Sequence, residues 1–321
     1  MITTTPVHIP ASPVKITYDD AILTLGSCFA DNIGRRLRTN LFLVDANPFG
    51  VLYNPLSVKQ SLLTLLSDKR FTARDLFAHQ SLWHSFAHSS LFSDTTPDRC
   101  LSRINNRLQQ SRERLPHTRF ILITWGTAQV YRHNASGQVV ANCHKLPARD
   151  FTRRRLGADE IAAEYRPLLD TLRGRLPGVR VIFTVSPIRH WKDGAHENNL
   201  SKATLLLAVD ALQREYDFVE YFPAYELLLD ELRDYRYYAE DMLHPPEMAV
   251  DYIWERFADC YFAPDTRRQM KEIAQLVADR AHRPLHPESD AFRQFAARTE
   301  ERQAELERKY PFLRGRLNGR E

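Results

Sequence analysis

Five short apolar runs recur along the chain at wide intervals: AILTL from Ala21, LFLVD from Leu41, FILIT from Phe120, RVIFTV from Arg180 and DFVEYF from Asp217. Each has the length of a strand. Each is apolar at successive positions, the pattern of a strand covered by helices on both faces. Stretches with helical apolar spacing lie between them. One follows Asp31, a second runs from Leu56 to Leu66, a third begins near Asp159 and a fourth starts at Ser201. Connections this long predict parallel βαβ crossovers rather than hairpins. The stretch between Phe71 and Pro97, rich in His, Ser and Phe, keeps neither period and reads as an insertion.

Beyond Pro264 the pattern changes to two charged amphipathic helices parted at Pro284 and Pro287. They are read as an appendage packed on the core, the other reading being an arm for a partner or a second copy. Their two signs of charge are mixed, as on a solvated face. The expected division is an α/β domain over residues 1–262 and a helical extension over 263–321.

Composition narrows the class. With 321 residues, 43% of them hydrophobic, the chain can bury a substantial core. A formal charge of +4 is too small to point to nucleic acid. Cys28, Cys100, Cys143 and Cys260 are widely spaced and form no C-x-x-C, which fits a reducing compartment and neither a zinc cage nor a disulfide framework. The first twenty residues lack a leader's basic and apolar regions, and no run approaches 18 apolar residues. A cytoplasmic protein is expected, with no membrane contact, no metal and no organic cofactor.

Two features carry candidate chemistry. In AILTLGSCFADNIGRRL the first apolar run meets Gly26 and then two potential nucleophiles, Ser27 and Cys28, just where a helical pattern begins. In EDMLHPPEMAV, Asp241 and His244 stand three residues apart ahead of two prolines and another helical pattern. Such a D-x-x-H turn lets the carboxylate hold the histidine Nδ1–H and aim Nε2 outward as a general base. Its plainer reading is a helix N-cap. Both features would fall at the carboxyl ends of parallel strands, where open α/β sheets place their sites.

Taken together, GSCFA, NPFGVLYNP, TWGTAQVYR, NCHKLP, TVSPIRHWKDGAHENNLSKATL, YFPAYELLLDELRDYRYYAEDMLHP and YIWERF resemble the GSCFA-domain family, itself related to the SGNH, or GDSL-type, ester hydrolases. The resemblance spans approximately residues 16–262. It implies a flavodoxin-like three-layer sandwich around five parallel strands, and a dyad or triad in which Asp241 and His244 serve a nucleophile after the first strand. Of the superfamily's Gly-Asp-Ser block, Gly26 matches the glycine, Ser27 stands on the aspartate and Cys28 on the nucleophilic serine. Gly50 corresponds to the glycine whose N–H serves the oxyanion hole. Of the Gly-x-Asn block, Gly126 is kept while Ala128 stands on the asparagine. Asn142, in the next loop, is the residue that would return an amide.

Register favours Cys28 over Ser27, because adjacent residues at a strand end point to opposite sides. A thiol at a helix N-terminus near a histidine also gains thiolate stabilisation that a serine does not. Simple burial of the thiol is the alternative. The loop after RVIFTV is crowded with Arg189, His190, Lys192, His196, Asn198, Asn199, Ser201 and Lys202. Here Arg189 or Lys202 is expected to meet an anionic group of the substrate, with His190 or Asn199 orienting it. The expected activity is acyl-ester or thioester hydrolysis, or acyl transfer, on a small-molecule or carbohydrate substrate. The rival is an SGNH scaffold that binds such a ligand without catalysis.

Overall fold

The computed structural model describes residues 5–317. Strand β1 (Ala21–Gly26) leads into helix α1 (Cys28–Thr39), followed by β2 (Leu43–Ala46) and α2 (Pro55–Leu65). A small hairpin, β3 (Phe77–His79) and β4 (Leu82–His84), precedes α3 (Pro97–Arg114) and β5 (Thr118–Trp125). Then come β6 (Gln129–His133), β7 (Val139–Val140), β8 (Phe151–Arg155), α4 (Ala158–Arg175), β9 (Arg180–Val185), α5 (Ala195–Glu215) and β10 (Val219–Tyr221). The last segment holds the single turn α6 (Ala224–Glu226), continued as π-helix over Leu227–Glu231, and then α7 (Glu247–Tyr261), α8 (Pro264–Ala281) and α9 (Asp290–Lys309).

The central sheet has the order β10-β9-β5-β1-β2, and all its pairs are parallel. This is the flavodoxin-like order. The chain goes outward from β1 to β2 and returns on the other side of β1 to β5, so the crevice outside the carboxyl ends of β1 and β5 is the topological switch point. Alternate strand residues face opposite layers. Leu23, Leu25, Ile121, Ile123, Val181 and Phe183 pack with α2–α5; Ile22, Phe120, Leu122 and Ile182 pack with α1, α7 and the C-terminal helices.

Those C-terminal helices share the core of the α/β layer. Met270, Ile273 and Leu276 of α8, and Leu306 of α9, belong to one buried cluster with Ile16, Tyr18 and Phe262. A stack of aromatic rings fastens the join: Phe312 on Tyr18 at 4.4 Å, Tyr18 on Phe42 at 4.3 Å, and Phe42 on Phe262 at 5.0 Å between centroids. The two anticipated helices are present, with Pro284 and Pro287 in the connection between them.

Several expectations are corrected. β2 starts two residues after Leu41, because Leu41 adopts φ +61° and finishes a turn. α5 begins at Ala195, six residues ahead of Ser201, so the polar tract HENN is helical. α3 was not anticipated, since its buried face is only Cys100, Ile104, Leu108 and Ser111 on an otherwise polar cylinder. Nor was the antiparallel sheet β7-β6-β8, whose strand β8 exposes Thr152, Arg153, Arg154 and Arg155 in succession.

Gly26 sets the spacing of the whole switch point. Its φ is +132°, and any Cβ there would overlap the backbone of Thr124 on β5. Gly26→Ala is therefore expected to lower the unfolding free energy by at least about 2 kcal/mol, read from urea denaturation.

Candidate active site

The β1–α1 turn assigns different tasks to its two hydroxyl- and thiol-bearing residues. Ser27 is 2% exposed. It is the N-cap of α1, its Oγ accepting from Phe29 N at 3.3 Å and its own N–H donating to Thr124 O at 3.1 Å. A capping oxygen turned to the helix's own backbone is poorly placed to attack a substrate. Cys28, the first residue of α1, is partly exposed. Its backbone N–H has no partner among the described residues, as befits the first turn of a helix. Its sulfur lies 3.4 Å from Tyr53 Oη.

Tyr53 comes from the loop after β2, and that loop is held at several points. Asn47, at φ +42°, accepts from Gly26 N at 2.9 Å through Oδ1 and donates through Nδ2 to Asp31 at 2.5 Å. Leu52 N donates to Gly26 O at 2.8 Å. Tyr53 O accepts from both Gly126 N (2.8 Å) and Thr127 N (3.0 Å). Below it, Trp125 Nε1 donates to Tyr165 Oη, which donates to Pro55 O. Burial, then the contact with Cys28, pushes the Tyr53 hydroxyl well above its ordinary range. It therefore stays protonated.

The expected oxyanion donors sit differently. Gly50, at φ +74°, donates its N–H to Asn47 O at 2.7 Å. The Gly126 N–H is occupied by Tyr53 O. Asn142 directs Nδ2 toward Ser90 Oγ of the insertion at 3.4 Å, and its Oδ1 accepts from His144 N. The N–H groups of Gly50 and Gly126 are thus taken by carbonyls, while the Asn142 amide keeps one N–H without a partner among the described residues. Cys143 and His144 make no metal site: the buried His144 bonds Ser85 O and packs against His84 and Phe77. Among the described residues no cluster of His, Cys, Asp and Glu suited to a metal forms.

The loop after β9 meets the crevice through His190. Its ring stands edge-on to Tyr53, with centroids 5.4 Å apart, and its Nε2 approaches the bare Cα of Gly126. Burial, then the Lys202 charge, pushes His190 down to about 4, so it is neutral near pH 7. Asn198, 1% exposed, orients it by accepting from His190 N at 3.0 Å, while Asn199 points outward into solvent. Asn199, expected to orient the substrate, is exposed on the early-starting α5.

Lys202 is also displaced from its expected role. It is 1% exposed, with Nζ donating to Gly126 O at 2.7 Å and Ser186 O at 2.6 Å. Instead of reaching solvent for a substrate anion, it ties together the ends of β5 and β9. Burial, then Arg189, pushes it down to about 7. Arg189 is half-buried, and its Nε is buried without a hydrogen-bond partner.

Asp241 and His244 do form a pair. Asp241 Oδ1 accepts from Leu243 N (3.0 Å) and His244 N (2.9 Å), and Oδ2 lies 2.5 Å from His244 Nδ1. Those N–H groups and the ring push the carboxyl down to about 2. Both side chains are half-exposed and His244 Nε2 is free among the described residues. Glu247, the first residue of α7, bridges Arg35 and Arg36 of α1, while the far end of α7 meets Ile16 just before β1. α7 thus runs from beside Arg35 and Arg36 of α1 toward the amino end of the sheet, and the His244 loop lies just ahead of its first turn. No hydrogen bond joins His244 to Cys28.

A family model described as the GSCFA family matches residues 21–257. The chain belongs to the GSCFA family. A second model, the C-terminal domain of GSCFA domain proteins, matches residues 273–317 of this GSCFA chain, the part that forms α8, α9 and the final turn. A search of curated proteins found no match. Among solved structures, an acetyl xylan esterase from the rumen bacterium Butyrivibrio proteoclasticus is similar at a TM-score of 0.34 and 10% identity, covering 76% of this chain and 64% of that one. The GSCFA chain therefore spans less than two thirds of that esterase. Among its described residues no helix is long and apolar enough to cross a membrane.

Reading the sequence missed Tyr53 and Asn198. The signal for Tyr53 was its place in NPFGVLYNP, between the glycine of a tight turn and the N-cap Asn54 of α2.

Lys202 gives a pH test. Its pKa is near 7 folded and 10.5 unfolded, so the unfolded chain binds more protons between these values and stability should rise with pH across that window. Comparing urea denaturation at pH 7, 8 and 9, the wild type should gain up to about 1.4 kcal/mol per pH unit more than Lys202→Met.

Proposed function

We propose that this GSCFA protein hydrolyses an ester or thioester, or transfers its acyl group, with Cys28 as nucleophile and His244 as general base. The substrate is a small-molecule or carbohydrate acyl compound. The observation that carries the reading is the Asp241–His244 pair, with its 2.5 Å contact, its doubly anchored carboxylate and its free Nε2. A carboxylate so held fixes the tautomer that presents Nε2 as a base. Two further supports are the partly exposed Cys28 at the switch point and the capping duty that occupies Ser27.

In the cycle, His244 Nε2 takes the thiol proton and Cys28 Sγ bonds to the acyl carbon. The carbonyl π pair moves onto oxygen. The developing oxyanion is met by the unpaired Cys28 N–H and by the Tyr53 hydroxyl, in place of Gly50 and Asn142. Collapse breaks the bond to the leaving group, which takes the proton from His244. Water, or an acceptor alcohol, then gives its proton to His244 and attacks the thioester, releasing the acyl group and restoring the thiol.

A ligand-binding scaffold without turnover is the second reading, and one observation favours it: Tyr53, not His244, is the partner of the Cys28 sulfur. Catalytic hydrogen bonds often tighten only with substrate bound, so chemistry has to decide. With an aryl ester or thioester, Cys28→Ala should abolish turnover while Ser27→Ala retains some. Asp241→Asn should lower kcat on the order of 10²–10⁴-fold, and Tyr53→Phe about 10–100-fold with little change in KM. Iodoacetamide should label Cys28, at a rate that rises with pH. Labelling by neither iodoacetamide nor fluorophosphonate, together with ligand-induced thermal shifts, would establish the binder instead.

A further inference from the structure

Arg189 stands out electrostatically. A buried guanidinium nitrogen without a hydrogen-bond partner is costly, and native structures pair such groups. The acids on neighbouring segments are engaged elsewhere: Asp193 by Arg153, Glu197 by Arg155, and Glu226 by the Tyr221 hydroxyl. Asp230, the remaining acid near Tyr225, is exposed and makes no ion pair with Arg189. The charges facing Arg189 from other elements include that of Lys202, which is already committed to two carbonyls.

The side chains around Arg189 come from three segments. Lys202 belongs to α5, and its Nζ lies 5.9 Å from the centre of the Tyr225 ring. Tyr225 lies in the turn after β10, and Tyr238 in the loop that carries the Asp241–His244 pair. Burial raises both phenols, and the Arg189 charge acts on each in the opposite sense. Both therefore remain donors at neutral pH. Beyond Tyr238, Ala239 N donates to His244 O at 2.7 Å. On the other side His190, next in sequence to Arg189, abuts Tyr53. Its sequence neighbour thus touches Tyr53, and its charge reaches a residue of the His244 loop.

We propose that Arg189, with Tyr225 and Tyr238, is an anion-binding subsite, and that the substrate bears a carboxylate or phosphate group which the guanidinium holds beside Cys28 and His244. This rests on the acyl-transfer reading only for the position of the anion relative to the nucleophile. The fork of the guanidinium accepts a planar or tetrahedral oxyanion through two donors, and a phenol supplies a third. Where sequence reasoning left the role to Arg189 or Lys202, the burial of Lys202 leaves it to Arg189.

The test is calorimetric titration of the full chain with inorganic phosphate, with succinate, and with succinamide as the neutral control. Phosphate or succinate should bind and succinamide should not; the tighter of the two anions names the group. Arg189→Gln should bind that anion about 10- to 100-fold more weakly, and Tyr238→Phe several-fold more weakly. Cys28→Ala should bind it as the wild type does, which separates this subsite from the chemistry. Without ligand, Arg189→Gln should melt no lower than the wild type, since it removes an uncompensated charge. Failure of both anions to bind the wild type, unchanged binding by Arg189→Gln, or marked destabilisation by that substitution would overturn the proposal.

Discussion

The structure depends on the close approach of two parallel strands where the chain changes direction. β1 and β5 converge at Gly26 and Thr124, with no room between them for a side chain. From that point β1 ends, Ser27 caps α1, and Cys28 emerges at the first turn of the helix. A strand end leaves carbonyls and N–H groups without ladder partners, and buried ones have to be paired. The residues of the crevice are largely those that do so. Asn47 takes the Gly26 N–H, Leu52 donates to Gly26 O, Tyr53 O takes two N–H groups at the end of β5, and Lys202 takes two carbonyls at the ends of β5 and β9.

This pairing explains why the backbone donors that the resemblance implies are already taken. The Gly50 N–H donates to Asn47 O and the Gly126 N–H to Tyr53 O. The insertion helps to hold them there. Ser89 N donates to Phe49 O, the Phe49 ring stacks on His88 at 4.8 Å, and Ser89 fills the space a Gly50 side chain would need. With those donors taken, the donors nearest the sulfur among the described residues are the unpaired Cys28 N–H and the Tyr53 hydroxyl, whose Oη lies 3.4 Å from Sγ. The chemistry proposed for the site follows from what the packing leaves unpaired.

The three inner strands β1, β5 and β9 were legible because burial on both faces writes a nearly uninterrupted apolar run, and the edge strands β2 and β10 by shorter apolar segments. The Asp241–His244 pair was legible because its contact is local, three residues apart. What escaped was whatever depends on partners distant in sequence or on weak apolar signal. α3 presents a narrow buried face, and β8 is a strand of arginines held by pairing with β6 rather than by its own hydrophobicity. Tyr53 meets Cys28 across 25 residues, and no spacing rule announces that contact. Asn198 reaches back eight residues to accept from His190 N, a contact that depends on α5 starting at Ala195, ahead of the apolar pattern.

Arg189 and Lys202 show the same limit for charge. In sequence they are equivalent, two cations in one polar tract after a strand. Folding separates them by what surrounds each. Lys202 enters the sheet's end, where two strand-terminal carbonyls partly compensate the loss of water, while burial and then Arg189 leave its proton weakly held. Arg189 stops at the rim, its Nε out of water, among phenols that can join it in donating to an oxyanion but cannot neutralise it as carboxylates would. A guanidinium cannot shed its proton to escape that position. The compensation it lacks among the described residues is of the kind an anionic ligand brings, which is the ground for the subsite proposed there.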